Sequence, residues 1–207
     1  MTFTTCHVSM SLDGYLAGLG QTFETPLGVG AECLHLWMFP PEGETPHEAD
    51  LAAREHLAKD RGAYVMGRNM FGPVRDGWRT WDGEWRGWWG DEPPYHAPVF
   101  VLTHHEHEPI EMEGGTTFHF VTDGFDTAYA RAVEAAGDRE ILIAGGASTI
   151  RQAFRAGVLD EIVLDVSPVL LGAGERLLDG VDDPGLTPVE VLASPQATHI
   201  RYRVGAA

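Results

Sequence analysis

Positive charge is scarce in this 207-residue chain: 14 Lys and Arg stand against 31 Asp and Glu, a formal net charge of -17. Lys59 is its single lysine. A field of that sign repels phosphate backbones and anionic bilayers, which excludes nucleic acid and membrane surfaces as partners. Cysteine is nearly absent too. Cys6 falls in an apparent strand and Cys33 in a loop, and nothing pairs them, so a reducing compartment is expected. No apolar run approaches 18 residues, which argues against a membrane-spanning helix. The opening MTFTTCHVSM lacks the basic and apolar regions of a secretory signal, so a cytoplasmic location is expected. Neither GxGxxG nor GxSxG occurs. Ser148 and Ser167 have no partnering histidine and acid that spacing would place, and internal repeats are missing.

What is present is an alternation of strands and helices. Residues 2–10 are rich in β-formers and lead into the loop SLDGYLAG. Residues 19–46 have little periodicity and several glycines and prolines, yet hold Trp37-Met38-Phe39. A loop of that length with such a cluster predicts an ordered, functional segment. The spacing of Leu51, Ala52, Leu57 and Ala58 predicts a helix within 46–61, followed by the strand AYVMG at 63–67. A second long loop, 72–97, carries Trp78, Trp81, Trp85, Trp88 and Trp89. Strands are then predicted at 98–103, 116–121, 140–144 and 160–169, and helices at 125–136 and 148–157. Two extended segments near 187–193 and 197–204 close the chain as an antiparallel hairpin. The pattern predicts an α/β fold in a single domain over 1–207, mostly parallel in its central sheet, with helices on both faces.

Ligands of open α/β sheets bind beyond the carboxyl ends of the strands. Gly145-Gly146, at the end of one predicted strand, would let backbone approach a diphosphate, with the amides of Ala147, Ser148 and Thr149 aimed at it from a helix start. The plainer alternative is a tight turn capped by Ser148. Arg68 follows a strand-ending glycine and could hold a phosphate by charge-assisted hydrogen bonds, or stand solvated on the surface. Thr103 and His104 end a neighbouring strand. The run HHEHE at 104–108 would set His105 and His107 on one face if extended, which suits a metal. A polar turn between strands, aided by Pro109, suits it better, because spacing places no third ligand. The tryptophan-rich loop suits stacking on a flat substrate, a dimer contact or plain packing better than it suits nucleic acid.

SLDGYLAG, VMGRNMF, PVFVLTHH, IAGGASTIRQAFRAGVLDEIVLDVSPVLLGAGERLLDG and RYRV, in that order, together resemble the dihydrofolate reductase superfamily. The nearer likeness is to the reductase domain of bifunctional riboflavin-biosynthesis proteins and its stand-alone relatives. That resemblance implies an NADPH-dependent oxidoreductase. Gly67, Arg68 and Asn69, with Thr103 and His104, would surround the 2'-phosphate. Gly145, Gly146, Ala147, Ser148 and Thr149 would hold the pyrophosphate. Ala17 would lie near the nicotinamide, and Gly172 is placed with the cofactor residues on the same likeness. The acceptor would be a C=N, C=C or C=O group of a small cyclic substrate. An aminopyrimidine-ribose reductase of riboflavin synthesis, or a dimer that binds a nucleotide or metal without turnover, are the alternatives.

In the folate enzymes an acid on the first helix touches the substrate, and Glu48, Asp50 or Glu55 could be read that way. Acids in a helix's first turn also simply complement its dipole. The insertion GVGAECLHLWMF departs from those enzymes. Asp13, Glu32, His35 and Trp37 are therefore expected to line the pocket with Asp50, Trp37 stacking and an acid or His35 handling the proton. No metal is expected. The apolar run IVLDVSPVLL, and the relatives it resembles, suggest a homodimer.

Overall fold

The computed structural model describes residues 2–72 and 85–205. In chain order its elements are β1 (Thr4–Ser11), β2 (Tyr15–Ala17), a 3-10 turn (Glu32–His35), α1 (Glu48–Leu57), β3 (Ala63–Gly67), α2 (Arg68–Phe71), β4 (Pro98–Leu102), β5 (Ile110–Glu111), a second 3-10 turn (Glu113–Gly115), β6 (Thr117–Val121), α3 (Phe125–Ala136), β7 (Ile141–Gly145), α4 (Ala147–Arg155), β8 (Glu161–Ser167), β9 (Glu175–Arg176), β10 (Thr187–Ala193) and β11 (Thr198–Arg203). The fold is α/β, with a large, mostly parallel sheet and a C-terminal antiparallel pair. Among the described residues no helix is long and apolar enough to cross a membrane. Trp78 and Trp81 lie outside the described residues.

The chain packs into two compact units, one of residues 1–5 and 60–158, the other of 6–59 and 159–207. In the first, β3 pairs in parallel with both β7 and β4, and β4 with β6, while the short β5 runs antiparallel to β6. Parallel strands flanked on both faces read as unbroken apolar runs, because neither face meets water. ILIAG and the first four residues of AYVMG are buried throughout, as that rule requires. Gly62 marks a close approach: a Cβ there would stand 2.7 Å from the Ala136 Cα of α3. Arg61, 1% exposed, meets Glu140 at 3.2 Å, and Glu140 also accepts a 2.6 Å hydrogen bond from the Thr5 hydroxyl.

In the second unit the antiparallel pairing of β10 with β11 and of β11 with β8 places His199 directly across from Asp165. β8 is buried along almost its whole length. Its apolar character therefore satisfies its own place in the sheet, and does not by itself call for a dimer contact. Trp37 packs with Ala53 of α1 and Ala197, joined by Met38 and Leu57, as a local core. β2 pairs with β9, where Gly174 adopts a φ of 140° and a Cβ would collide with the Ala17 carbonyl. Gly124 also has a positive φ, 88°, but open space around it. Gly124→Ala should cost about 1–3 kcal/mol for the backbone alone. Gly174→Ala should cost more, because β2 or β9 must shift as well, and equal urea midpoints for the two variants would show that the close approach is not there.

Candidate functional site

The first unit gathers three strand ends. Gly67 ends β3, and a Cβ on it would lie 2.8 Å from the Thr149 hydroxyl oxygen and 3.5 Å from the Gly146 amide nitrogen. Glycine is therefore required at Gly67 for β3 to end against the start of α4. The helix begins one residue earlier than predicted: Gly146 is the N-cap, Ser148 lies within the first turn, and no side chain caps the end. Ser148 as N-cap is thus corrected, and the first-turn amides, including those of Ala147, Ser148 and Thr149, have no side-chain cap. Gly145 has a φ of 121°, a conformation that side-chain-bearing residues rarely adopt, and Gly146 is exposed with nothing within 4 Å of a Cβ. First-turn amides without a side-chain cap, beside an exposed glycine with open space around it, are the kind of donor set that suits a diphosphate.

Arg68 and Asn69 open α2 directly after Gly67, Arg68 half-buried and Asn69 exposed. Burial lowers the Arg68 pKa, yet a guanidinium stays charged over the physiological range. Thr103, buried, donates its amide to the Val121 carbonyl, and its hydroxyl accepts the His105 amide at 3.1 Å. That turn leaves His104 exposed beyond β4. His107 donates Nδ1 to the Glu108 carbonyl and packs its ring on Phe120, 4.8 Å between centroids. Among the described residues no group of three or more His, Cys, Asp or Glu is placed to hold a metal ion.

The second unit holds the remaining predicted residues, and there the side chains form something the sequence did not announce. Asp165 of β8 meets two histidines: His7 Nε2 of β1 at 2.9 Å and His199 Nδ1 of β11 at 2.7 Å. The other nitrogen of His199 reaches Asp50 of α1 at 2.9 Å. His7 Nδ1 in turn faces His56 Nδ1 of α1 at 3.5 Å. The contacts close a ring through α1, β11, β8 and β1. His7, Asp50, Asp165 and His199 are each at most 5% exposed.

Both nitrogens of His199 face carboxylate oxygens, an arrangement that favours the protonated ring, which can donate from both. Burial by itself would lower the His199 pKa, but the hydrogen bonds to Asp165 and Asp50 outweigh it and raise the value. Burial would likewise raise Asp165, and the hydrogen bonds from His199 and His7 prevail and lower it. Trp37 fills the centre. It stacks on His7 at an interplanar angle of 9° and meets His199 edge-on, with centroids 6.2 and 5.0 Å away. Its indole N–H donates to the Ser9 hydroxyl, and its carbonyl accepts from Arg54. A cleft of about 400 Å³ opens beside the ring, lined among others by His7, His56, Lys59, His199 and Arg201.

These contacts revise several expectations. Trp37, expected to stack on a substrate, is 1% exposed and serves as core, its ring spent on His7 and His199. Asp50, expected to bind substrate, is spent on His199. Asp13, expected to be catalytic, takes hydrogen bonds from the Ser11 hydroxyl and the amides of Leu171 and Gly172, at 2.6, 3.1 and 2.7 Å. Those donors, the Ser11 hydroxyl first, hold its pKa near 2, so it stays ionised and pins the loop that carries Gly172. Ala17, 6% exposed, lies on β2 in the same unit. Glu32 is exposed on the 3-10 turn. His35, at the end of that turn, keeps a buried Nδ1 without a hydrogen-bond partner, and burial lowers its pKa despite the nearby Asp165. One signal for the ring was in the sequence: an aspartate amid the apolar IVLDVS must find a partner when buried.

The profile of the RibD C-terminal domain family matches residues 2–200. Among solved structures, one of a protein assigned to riboflavin biosynthesis in Shewanella sp. PV-4 superposes with a TM-score of 0.63 at 22% identity, over 98% of this chain and 99% of that one. The deaminase/5-amino-6-(5-phosphoribosylamino)uracil reductase of Thermotoga maritima gives 0.59 at 14%, over 98% of this chain and 56% of that one. Dihydrofolate reductase from Enterococcus faecalis, complexed with NADP(H), gives 0.54 at 12%, over 98% and 96%. A comparison with curated proteins returns no match.

Removing one member of a buried charge pair leaves the other uncompensated, which costs about 3–5 kcal/mol. His199→Ala should lose that much stability in urea denaturation at pH 6. A histidine whose folded pKa is raised contributes in full below its unfolded value, about 6.5, and the contribution fades as pH rises through the folded value. The gap between wild type and His199→Ala should therefore narrow from pH 6 to pH 9. A gap that is constant or widens would show that His199 is not the doubly bonded cation.

Proposed function

The chain belongs to the RibD C-terminal domain family, and from that premise we propose that this oxidoreductase uses NADPH to reduce a small cyclic substrate. The observation that carries the reading is the α4 start in the first unit: a glycine pair, first-turn amides with no side-chain cap, and Gly67 packed against them. When bound there, NADPH supplies a hydride. The amides of Ala147, Ser148 and Thr149 would bind the pyrophosphate, and Arg68 and Asn69 with Thr103 and His104 the 2'-phosphate.

Hydride delivery to a C=N, C=C or C=O group leaves an atom that needs a proton. With Asp13 held ionised and Asp50 committed to His199, Glu32 and His35 are left to handle it. The Thermotoga relative's description as a uracil-derivative reductase supports an aminopyrimidine as the acceptor. The insertion around Glu32–His35 favours an acceptor other than dihydrofolate. A cytoplasmic homodimer is part of the proposal, and light scattering that gives the 22.6 kDa of one chain across micromolar concentrations would remove it.

Arg68→Ala should weaken NADPH by about 1.5–3 kcal/mol, the value of a hydrogen bond to a charged group, and NADH scarcely at all. Calorimetric titration that finds equal losses for both cofactors would overturn the phosphate assignment. Dihydrofolate should be turned over with a kcat/KM below roughly 10⁴ M⁻¹s⁻¹, the lower edge for enzymes on their own substrates. With the true substrate, the Glu32→Gln, His35→Asn double variant should lose activity, and wild-type rates would place the proton donor elsewhere.

A further inference from the structure

Past the carboxyl end of β8 the chain runs as a strap, PVLLGAG at 168–174, in which no residue is buried. Leu170 is 73% exposed. Hydrophobic burial therefore does not fix the strap, and hydrogen bonds have to. They come from the loop that follows β1. The Leu12 amide donates to the Val169 carbonyl at 2.9 Å, and the Tyr15 hydroxyl donates to the Gly172 carbonyl at 3.3 Å. Just past β9, the Leu177 amide donates to the Gly14 carbonyl. Between these bonds stands Asp13.

Its carboxylate takes two consecutive strap amides, Leu171 on Oδ1 at 3.1 Å and Gly172 on Oδ2 at 2.7 Å. Gly172 has a φ of 74°. Successive amides that converge on one anion at a left-handed glycine form an anion-binding nest. The strap has no charged side chain of its own, so the charge in this contact is Asp13's. Hydrogen bonds to an ionised acceptor are the strong kind. A carboxamide of the same shape could not replace it, because it has one acceptor oxygen and its NH2 would face an amide N–H. The strap also leaves from Ser167, whose hydroxyl donates to the Leu34 carbonyl at 3.1 Å. The 3-10 turn that bears Glu32 and His35 is thus anchored at the residue where the strap begins.

We propose that Asp13 is a positioning residue, the resident anion of a nest on the strap. It holds residues 168–174 in one conformation beside the Glu32–His35 turn, and a free carboxylate can take its seat when the side chain is removed. The Ser11 hydroxyl and the two amides keep its pKa near about 2, so the clasp stays closed across the physiological range and is no acid switch there. Its hold is read without turnover, so it stands or falls apart from the reductase reading.

The test is solvent exchange of the Leu171 and Gly172 amides in the full chain, followed by NMR with the β8 amides as internal standard. In Asp13→Ala both amides should exchange at least about tenfold faster than in wild type, while β8 is unchanged. Sodium formate at about 0.2 M should return them to within about threefold of wild type, and the same concentration of sodium chloride should not. In Asp13→Asn the rates should rise as well, and formate should do nothing, because the carboxamide fills the seat. Unchanged rates in Asp13→Ala, formate no better than chloride, or an Asp13→Asn variant as protected as wild type would each overturn the clasp. Should neither variant fold, the carboxyl ¹³C shift of Asp13 in wild type between pH 6 and pH 4 decides alone. A shift that stays constant supports the clasp, and a titration with a midpoint at the ordinary value of about 3.9 overturns it.

Discussion

A histidine held between two buried carboxylates is the interaction on which the second unit depends. His199 joins β11 to β8 through Asp165 and to α1 through Asp50. It supplies both carboxylates with a hydrogen bond away from water, and burying an unpaired polar or charged group is among the costliest errors a fold can make. Once that pair of bonds is fixed, the position of α1 follows, Trp37 gains its ring partners, and Arg54 is placed to hold the Trp37 carbonyl. The loop that bears Glu32 and His35 is in turn tied to β8 through the hydrogen bond from the Ser167 hydroxyl to the Leu34 carbonyl.

The first unit is organised by a different constraint, the close approach of backbone. Gly62 lets α3 settle on its strand, and Gly67 lets β3 end against α4. Where side chains are excluded, the polar groups left over are main-chain amides, and an anion is what such a surface takes. The net charge of -17 makes this division intelligible. A protein with so little positive charge to spend can draw on helix-terminal amides and a lone arginine for an anionic ligand, while its histidines settle the carboxylates buried elsewhere.

Much of this was legible in the sequence. α3 begins and ends at Phe125 and Ala136, as its apolar spacing predicted, and the strands at 63–67, 98–103, 116–121, 140–144 and 160–169 were found within one or two residues. Local patterns of apolar residues and glycines determine those elements. The glycine pair and Arg68 could be singled out because their meaning is local too. The ring could not be, because its members come from four elements and bonded partners lie as many as 158 positions apart, so no spacing connects them. Trp37 was misjudged for the same reason. A tryptophan in a long loop looks available until the side chains that cover it are known.

On the proposed reading, the first unit binds NADPH through the amides at the start of α4. Backbone ¹H–¹⁵N spectra of the full chain, recorded with NADPH up to about 1 mM, where even a binding free energy of about -4 kcal/mol registers, test it most directly. The largest shifts should fall on Ala147, Ser148 and Thr149, with a second group at Gly67, Arg68 and Asn69. Saturable shifts confined to other segments, or none at that concentration, would contradict it.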